Sequence, residues 1–531
     1  MEKYIYLVVM CVCAFGCAQE STSSVSDMSL VSDVGLMTNQ GDVGVDMLSP
    51  LDMMAEAVDI GSAELDMTPS AVDADGLGND AHGEAVDAGA NVEGPDGFLP
   101  DMGPAAPAVV ALDGSGDYLD LASALAAQET DILVMPGDYV VDSAIEFATP
   151  GTTVRGENRE TVRFIQSNRD ADLFVVRADD VTISNLTLDT VMAGQAAFVE
   201  QAANRVTLED SLIFGGSQIF TIYFAGPNVE AGRATIDAFE NQALSRGNRL
   251  LRNEITTSFV GDSVAFALQA DGEVRDNVLN GGMLSMYMLQ NVVCEGNSVL
   301  NSPTNGIFIS LPSTDSVVTN NVVRNSLYAA IVVKPQVEHE AAGRLIDSRG
   351  VVISGNTLTA QYSIIEVDGT GVDPSQGQLV NLLIEANTIE LDDFAGVYLL
   401  RANGPILREN RITFTGADVS RRGQEGRLAI IDSFSAGVYA DFAVTDAIIE
   451  GNTITRTANV DDPRVMQNAI VLNDPSVSGA TIRQNTFQRF GDDWVHSPCG
   501  DAFGDSDQDG VFDRTGSLHR IEANECQVEI Q

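Results

Sequence analysis

Short apolar runs that end in asparagine recur along the chain: Thr-Ile-Ser-Asn at Asn185, Leu-Leu-Arg-Asn at Asn253, then Asn277, Asn297, Asn321, Asn356, Asn387, Asn410, Asn452 and Asn485. Asp210 takes the slot in Thr-Leu-Glu-Asp, and Asn524 in Arg-Ile-Glu-Ala-Asn makes a last copy. The tightest spacings, 20 to 24 residues, fit one turn of three short strands and their bends. A shift of 24 residues from Asn297 to Asn321 lays Ile307-Phe308-Ile309 over Ile331-Val332-Val333, and Val397-Tyr398-Leu399 repeats the offset after Asn387. Two strands per turn therefore keep register with the asparagine. Asn tolerates a left-handed bend and can hydrogen-bond to its equivalents above and below, so the copies predict a stacked ladder with β-branched residues inside and polar ones outside. A leucine-rich horseshoe would need Leu where Ile, Val and Thr dominate, and a β-propeller would need a longer period. The pattern predicts an all-β parallel solenoid.

Ahead of the repeat, residues 116 to 131 place Leu121, Ala124, Leu125 and Gln128 on helical spacing, followed by an apolar strand Ile132 to Met135 and a Pro136-Gly137 turn. This order, with Met-Pro-Gly-Asp-Tyr at 135–139 and Thr-Thr-Val-Arg-Gly-Glu at 152–157, resembles the start of pectin-lyase-like domains. The resemblance, to the right-handed parallel β-helix superfamily of pectate lyases, polygalacturonases, alginate lyases and epimerases, covers roughly residues 110 to 530. It implies a short N-terminal helix that caps the first coil, which would otherwise expose unpaired backbone. Long gaps between Asp210 and Asn253, Asn321 and Asn356, Asn410 and Asn452, and Asn452 and Asn485 must leave the solenoid as loops, and such insertions often share one binding face.

The chain starts differently. Glu2 and Lys3 lead into the apolar run Tyr4 to Phe15, too short to span a membrane, and the run ends Ala14-Phe15-Gly16-Cys17. That ending resembles the bacterial lipobox, with residues 1–17 as signal peptide and Cys17 as the lipidated N-terminus. Export to an outer membrane or cell surface is the expected localisation. Residues 18–104 hold eighteen Asp or Glu and no Lys or Arg; one-signed charge with low hydrophobicity predicts a disordered acidic tether, with a reach of roughly 50 Å. Residues 105–531 form the solenoid domain.

Over the whole chain 77 Asp and Glu stand against 28 Lys and Arg, a net charge of −49. Such a surface repels phosphate backbones, which excludes nucleic acid as a partner, and attracts cations such as Ca²⁺. A monomer is expected.

Candidate chemistry is sparse. The fold resemblance implies contact with polysaccharide, yet of the polygalacturonase motifs the only His-Gly, at His82, lies in the acidic tether, and Arg-Ile-Lys, the Asp-Pro-His of epimerases and the Gln and Arg motifs of pectin methylesterases are missing. β-Elimination needs a base, a leaving-group acid and charge neutralisation. Lys334, the only lysine after Lys3, ends the strand Ala330 to Val333, and Glu338, His339, Glu340 and Arg344 follow. A Lys and Arg pair resembles that of certain alginate and chondroitin lyases and makes Lys334, Arg344 and His339 the candidate catalytic residues. The alternative is a solvated strand end, Lys334 corresponding to Ser310 one coil earlier. A non-enzymatic adhesin or envelope structural module is the competing function. Within a C-terminal insertion at about 491–526, Asp505, Asp507, Asp509, Val511 and Asp513 follow EF-hand-type spacing, with Gly510 at the turn but Gly516 where the bidentate Glu belongs. They resemble the short calcium loops of thrombospondin-type repeats and are candidate Ca²⁺ ligands. Cys499 and Cys526 flank them, and a disulfide there would close about 28 residues and contribute on the order of 3 kcal/mol. Cys294, inside a strand, reads as a buried free thiol.

Overall fold

The computed structural model describes residues 106–191, 196–215, 220–227, 232–257, 262–335, 346–369, 378–391, 395–415, 436–440, 443–456, 468–472 and 477–488, with the strands Phe503–Gly504, Asp513–Arg514, Arg520–Glu522 and Glu525–Gln527. Three long parallel sheets account for most of them. Sheet I has fifteen strands, from Ala108–Val110 to Arg520–Glu522; sheet II has fourteen, from Gly137–Val141 to Glu525–Gln527; sheet III has twelve, from Ile145–Phe147 to Asn468–Leu472. The chain visits I, II and III in turn, and each strand pairs with its equivalents one coil before and after. Ile183, Leu208, Leu250, Val274, Cys294 and Val318 thus form one inward column of sheet I. All six are at most 1% exposed, and each buried side chain of this size is worth roughly 1.5–3 kcal/mol.

Helix α1 (Leu121–Ala126) covers the first coil as expected. Asp120 caps it, its Oδ1 accepting from the Ser123 N–H at 2.7 Å, and Leu121, Ala124 and Leu125 are buried. Gln128 does not share that face. It is exposed at φ 63° and ends the helix, its N–H donating to the Leu125 carbonyl.

The asparagine ladder forms at the corner between sheets I and II, from Asn253 to Asn485. In each of the eight residues up to Asn452, the backbone N–H and the Nδ2 both donate to the Oδ1 of the next Asn, at 2.8–3.0 Å and 2.9–3.1 Å. Each Nδ2 also reaches a backbone carbonyl of the preceding coil, as Asn321 does at Cys294. Two expectations are corrected. The left-handed residue is the one before the asparagine, with φ between 53° and 68° from Arg252 to Gln484. Asp210 and Asn185 occupy that bend position instead of the ladder: the ladder slot is Ser211, whose N–H donates to Asn253 Oδ1, and Leu186 one coil earlier. A short polar side chain suits the left-handed bend as well as the ladder, so the same residue types mark two adjacent positions. Asn524 lies outside the described residues.

From Ser184 onward every connection from sheet I to sheet II is two residues long. The long connections all fall at the other two corners, which border sheet III. One of them carries helix α2 (Gly232–Glu240), whose Ile236 and Phe239 pack with Leu268 and Met288 on the outside of the corner between sheets III and I.

Candidate functional site

Sheet III differs from the other two sheets in what it turns outward. Strands of sheets I and II mostly alternate a buried inward residue with more exposed neighbours, whereas Met283–Tyr287 and Ile307–Leu311 are buried at every position. The outward column of sheet III runs through Val175, Val199, Tyr223, Ala265, Ser285, Phe308 and Val332. Apart from Tyr223, these outward side chains are each at most 8% exposed, and Phe308 lies 5.9 Å from Tyr287, ring centre to ring centre. Phe220 and Tyr223 stack at 4.6 Å, half-buried. This outward face of rings and aliphatic side chains is mostly covered, and long connections leave the sheet at both of its edges.

Toward the C-terminal coils this face turns polar. Ser310 pairs in register with Lys334, the correspondence expected from the 24-residue repeat. Lys334 Nζ lies 3.8 Å from Glu366 Oε1, with the two side chains 41% and 24% exposed. Two residues along the same strand, Asp368 binds Arg401, with Nε–Oδ1 at 2.7 Å and a second contact from the other guanidinium nitrogen. Alternation along a strand puts Glu366 and Asp368 on one face, and Tyr398 is paired with Glu366 in the next coil. Glu366, Asp368, Tyr398 and Arg401 were not among the candidate residues. The offset from Ser310 to Lys334 is 24 residues and that from Val332 to Glu366 is 34, so the longer connection between those coils hides the first two from the repeat.

Of the other candidates, His339 and Arg344 lie outside the described residues, so the proposed Lys334–Arg344 pairing has no geometry to report. Cys17, Cys499, Asp505, Asp507, Asp509 and Val511 lie outside them too. Asp513 belongs to a short antiparallel pair in which Gly504 faces Asp513. Cys526 pairs with Phe487 on sheet II. Cys294 is fully buried in its strand, and burial pushes its thiol up to about 12, the inert state expected of it. Among the described residues no group of three or more His, Cys, Asp or Glu is placed to hold a metal ion.

The family described as "Right handed beta helix region" matches residues 336–501. No curated protein matches the chain. Among solved structures, the mannuronan C-5 epimerase AlgE6 A-module of Azotobacter vinelandii is 15% identical, with TM-score 0.49, over 76% of this chain and 93% of its own. PfbA, a surface adhesin of Streptococcus pneumoniae, is 11% identical, with TM-score 0.41, over 75% and 93%. The Dettilon tailspike protein gp208 is 10% identical, with TM-score 0.44, over 71% of this chain, which spans 64% of the tailspike's length. The fold is a right-handed parallel β-helix.

Proposed function

We propose that this β-helix protein is exported, anchored through lipid on Cys17, and holds a polysaccharide along a trough over sheet III, with residues 18–104 spacing the solenoid from the membrane. The observation that carries the reading is the contrast between corners. Connections from sheet I to sheet II are two residues long from Ser184 onward, while the long ones flank sheet III, whose outward face carries paired rings followed by the Lys334, Glu366, Asp368 and Arg401 cluster. A linear groove of apolar faces with a few convergent polar groups suits a linear polymer. The Asp505 to Asp513 loop would bind Ca²⁺ and, with a Cys499–Cys526 disulfide, secure the C-terminal coil.

Binding is favoured over elimination. Lys334, the base a lyase reading requires, ends on the Glu366 carboxylate, so a substrate proton would have to compete with that pair. A surface adhesin or envelope module would use the same trough without turnover. The mature chain, with Ca²⁺ present, is screened for retention on immobilised glycans and for unsaturated products by ultraviolet absorbance, beside Lys334→Ala. Retention without product, weakened in the variant, is the expected result. Product that disappears in Lys334→Ala would reinstate the lyase, and no retention on any glycan would end the proposal.

A further inference from the structure

The charges along sheet III narrow the chemistry of the glycan. Within its twelve strands Lys334 is the one cation, and Arg177 and Arg401 directly follow strands at the same edge. Each already has a carboxylate partner: Glu366 for Lys334, Asp368 for Arg401, and Glu146, at 3.4 Å, for Arg177. A uronate or sulfate group brought to any of them would displace a carboxylate that the fold itself supplies, exchanging one ion pair for another and leaving the displaced acid unpaired.

The overall charge adds repulsion. The whole chain stands at −49, so an acidic polymer approaching the protein meets like charge, and an uncharged one does not. What the sheet does offer is the half-buried Phe220–Tyr223 pair, stacked at 4.6 Å. Aromatic surface of this kind contacts apolar faces, and that contact needs no charge on the ligand.

Resting on the trough reading above, we infer that the trough selects an uncharged polysaccharide and excludes polyuronates and sulfated glycans. The full mature chain is tested by affinity electrophoresis against dextran, xylan and galactomannan on one side and polygalacturonate, alginate and chondroitin sulfate on the other, at low and high salt, with and without Ca²⁺. The expected result is retention by an uncharged glycan that salt leaves unchanged, at least tenfold stronger than by any acidic one. Equal or stronger retention by an acidic glycan overturns the selectivity while keeping the trough reading, and retention by none overturns that reading itself. Glu366→Gln and, separately, Asp368→Asn release Lys334 and Arg401; in each the ratio of acidic to uncharged retention is expected to rise about tenfold. An unchanged ratio in both folded variants would show that ion pairing is not what excludes the acid.

Discussion

Glu200 is the residue whose replacement tests the electrostatics of the solenoid interior most directly. It sits in the strand Phe198–Gln201 on the inward register between Val176 and Phe224, and it is fully buried. Its Oε1 accepts the Ala203 N–H, the Gln269 side chain lies beside it, and Oε2 has no hydrogen-bond partner. Burial pushes its carboxyl from 4.5 up to about 9. The native state thus keeps a proton that the unfolded chain gives up between those values, so stability falls as pH rises through that window and levels off above it. At about 1.4 kcal/mol per pH unit, the cost is on the order of 3 kcal/mol at neutral pH and less than 1 kcal/mol near pH 5. Glu200→Gln keeps the shape and the acceptor for Ala203 and removes the titration. Thermal unfolding of the two proteins, followed across pH 5 to 9, should show curves close together in acid and a variant increasingly more stable toward alkali. A difference that does not change with pH, or a variant less stable throughout, would mean that Glu200 is ionised in the fold and the account of its burial is wrong.

Two further results are expected. Asn321→Ala removes the acceptor for both nitrogens of Asn297 and the donor to the Cys294 carbonyl, inside a buried ladder, and should cost about 3 kcal/mol or more, whereas Asn280→Ala in the exposed Asn280–Asn301–Asn325 row should stay within about 0.5 kcal/mol; denaturant midpoints of the two variants check the contrast. Cys294, with its thiol raised to about 12 and no exposure, should resist alkylation in the native protein and react only on unfolding, as peptide mapping after iodoacetamide treatment would report.

The ladder was legible because a stacked asparagine leaves one mark per coil, and coil length varies too little near Asn297 and Asn321 to hide it. It slipped by one residue at Asn185 and Asp210, where the left-handed bend favours the same side chains that the ladder uses. The face of sheet III was not legible. Outward residues such as Phe308 and Val332 are as apolar as the inward Ile309 and Val333, so alternation, which marks the outside of sheets I and II, gives no contrast there. Lys334 and Glu366 come together only because a long connection of unequal length separates their coils, which no fixed offset predicts. Glu200 escaped notice because it stands in the run Phe198-Val199-Glu200-Gln201, where a lone acid between strands reads as an outward position.

The two kinds of corner explain why function would gather on one face of this solenoid. At the corner between sheets I and II every ladder asparagine satisfies buried groups on its own coil and on both neighbours, so an added residue would leave several of them unpaired at roughly 1–3 kcal/mol each. The two-residue connections there are what such a constraint leaves. At the borders of sheet III the corner hydrogen bonds are more varied: Gln290 bridges to Ala270 and Thr314, and Ser313 to Leu289 and Ser348. Connections at these corners range from a few residues to the helix-bearing segment between Ala225 and Ser245. Length can therefore vary only where it walls in sheet III, and the apolar outward face of that sheet is stable only if something shields it. Connections free to vary in length at these corners can also shape what reaches Lys334 and Glu366.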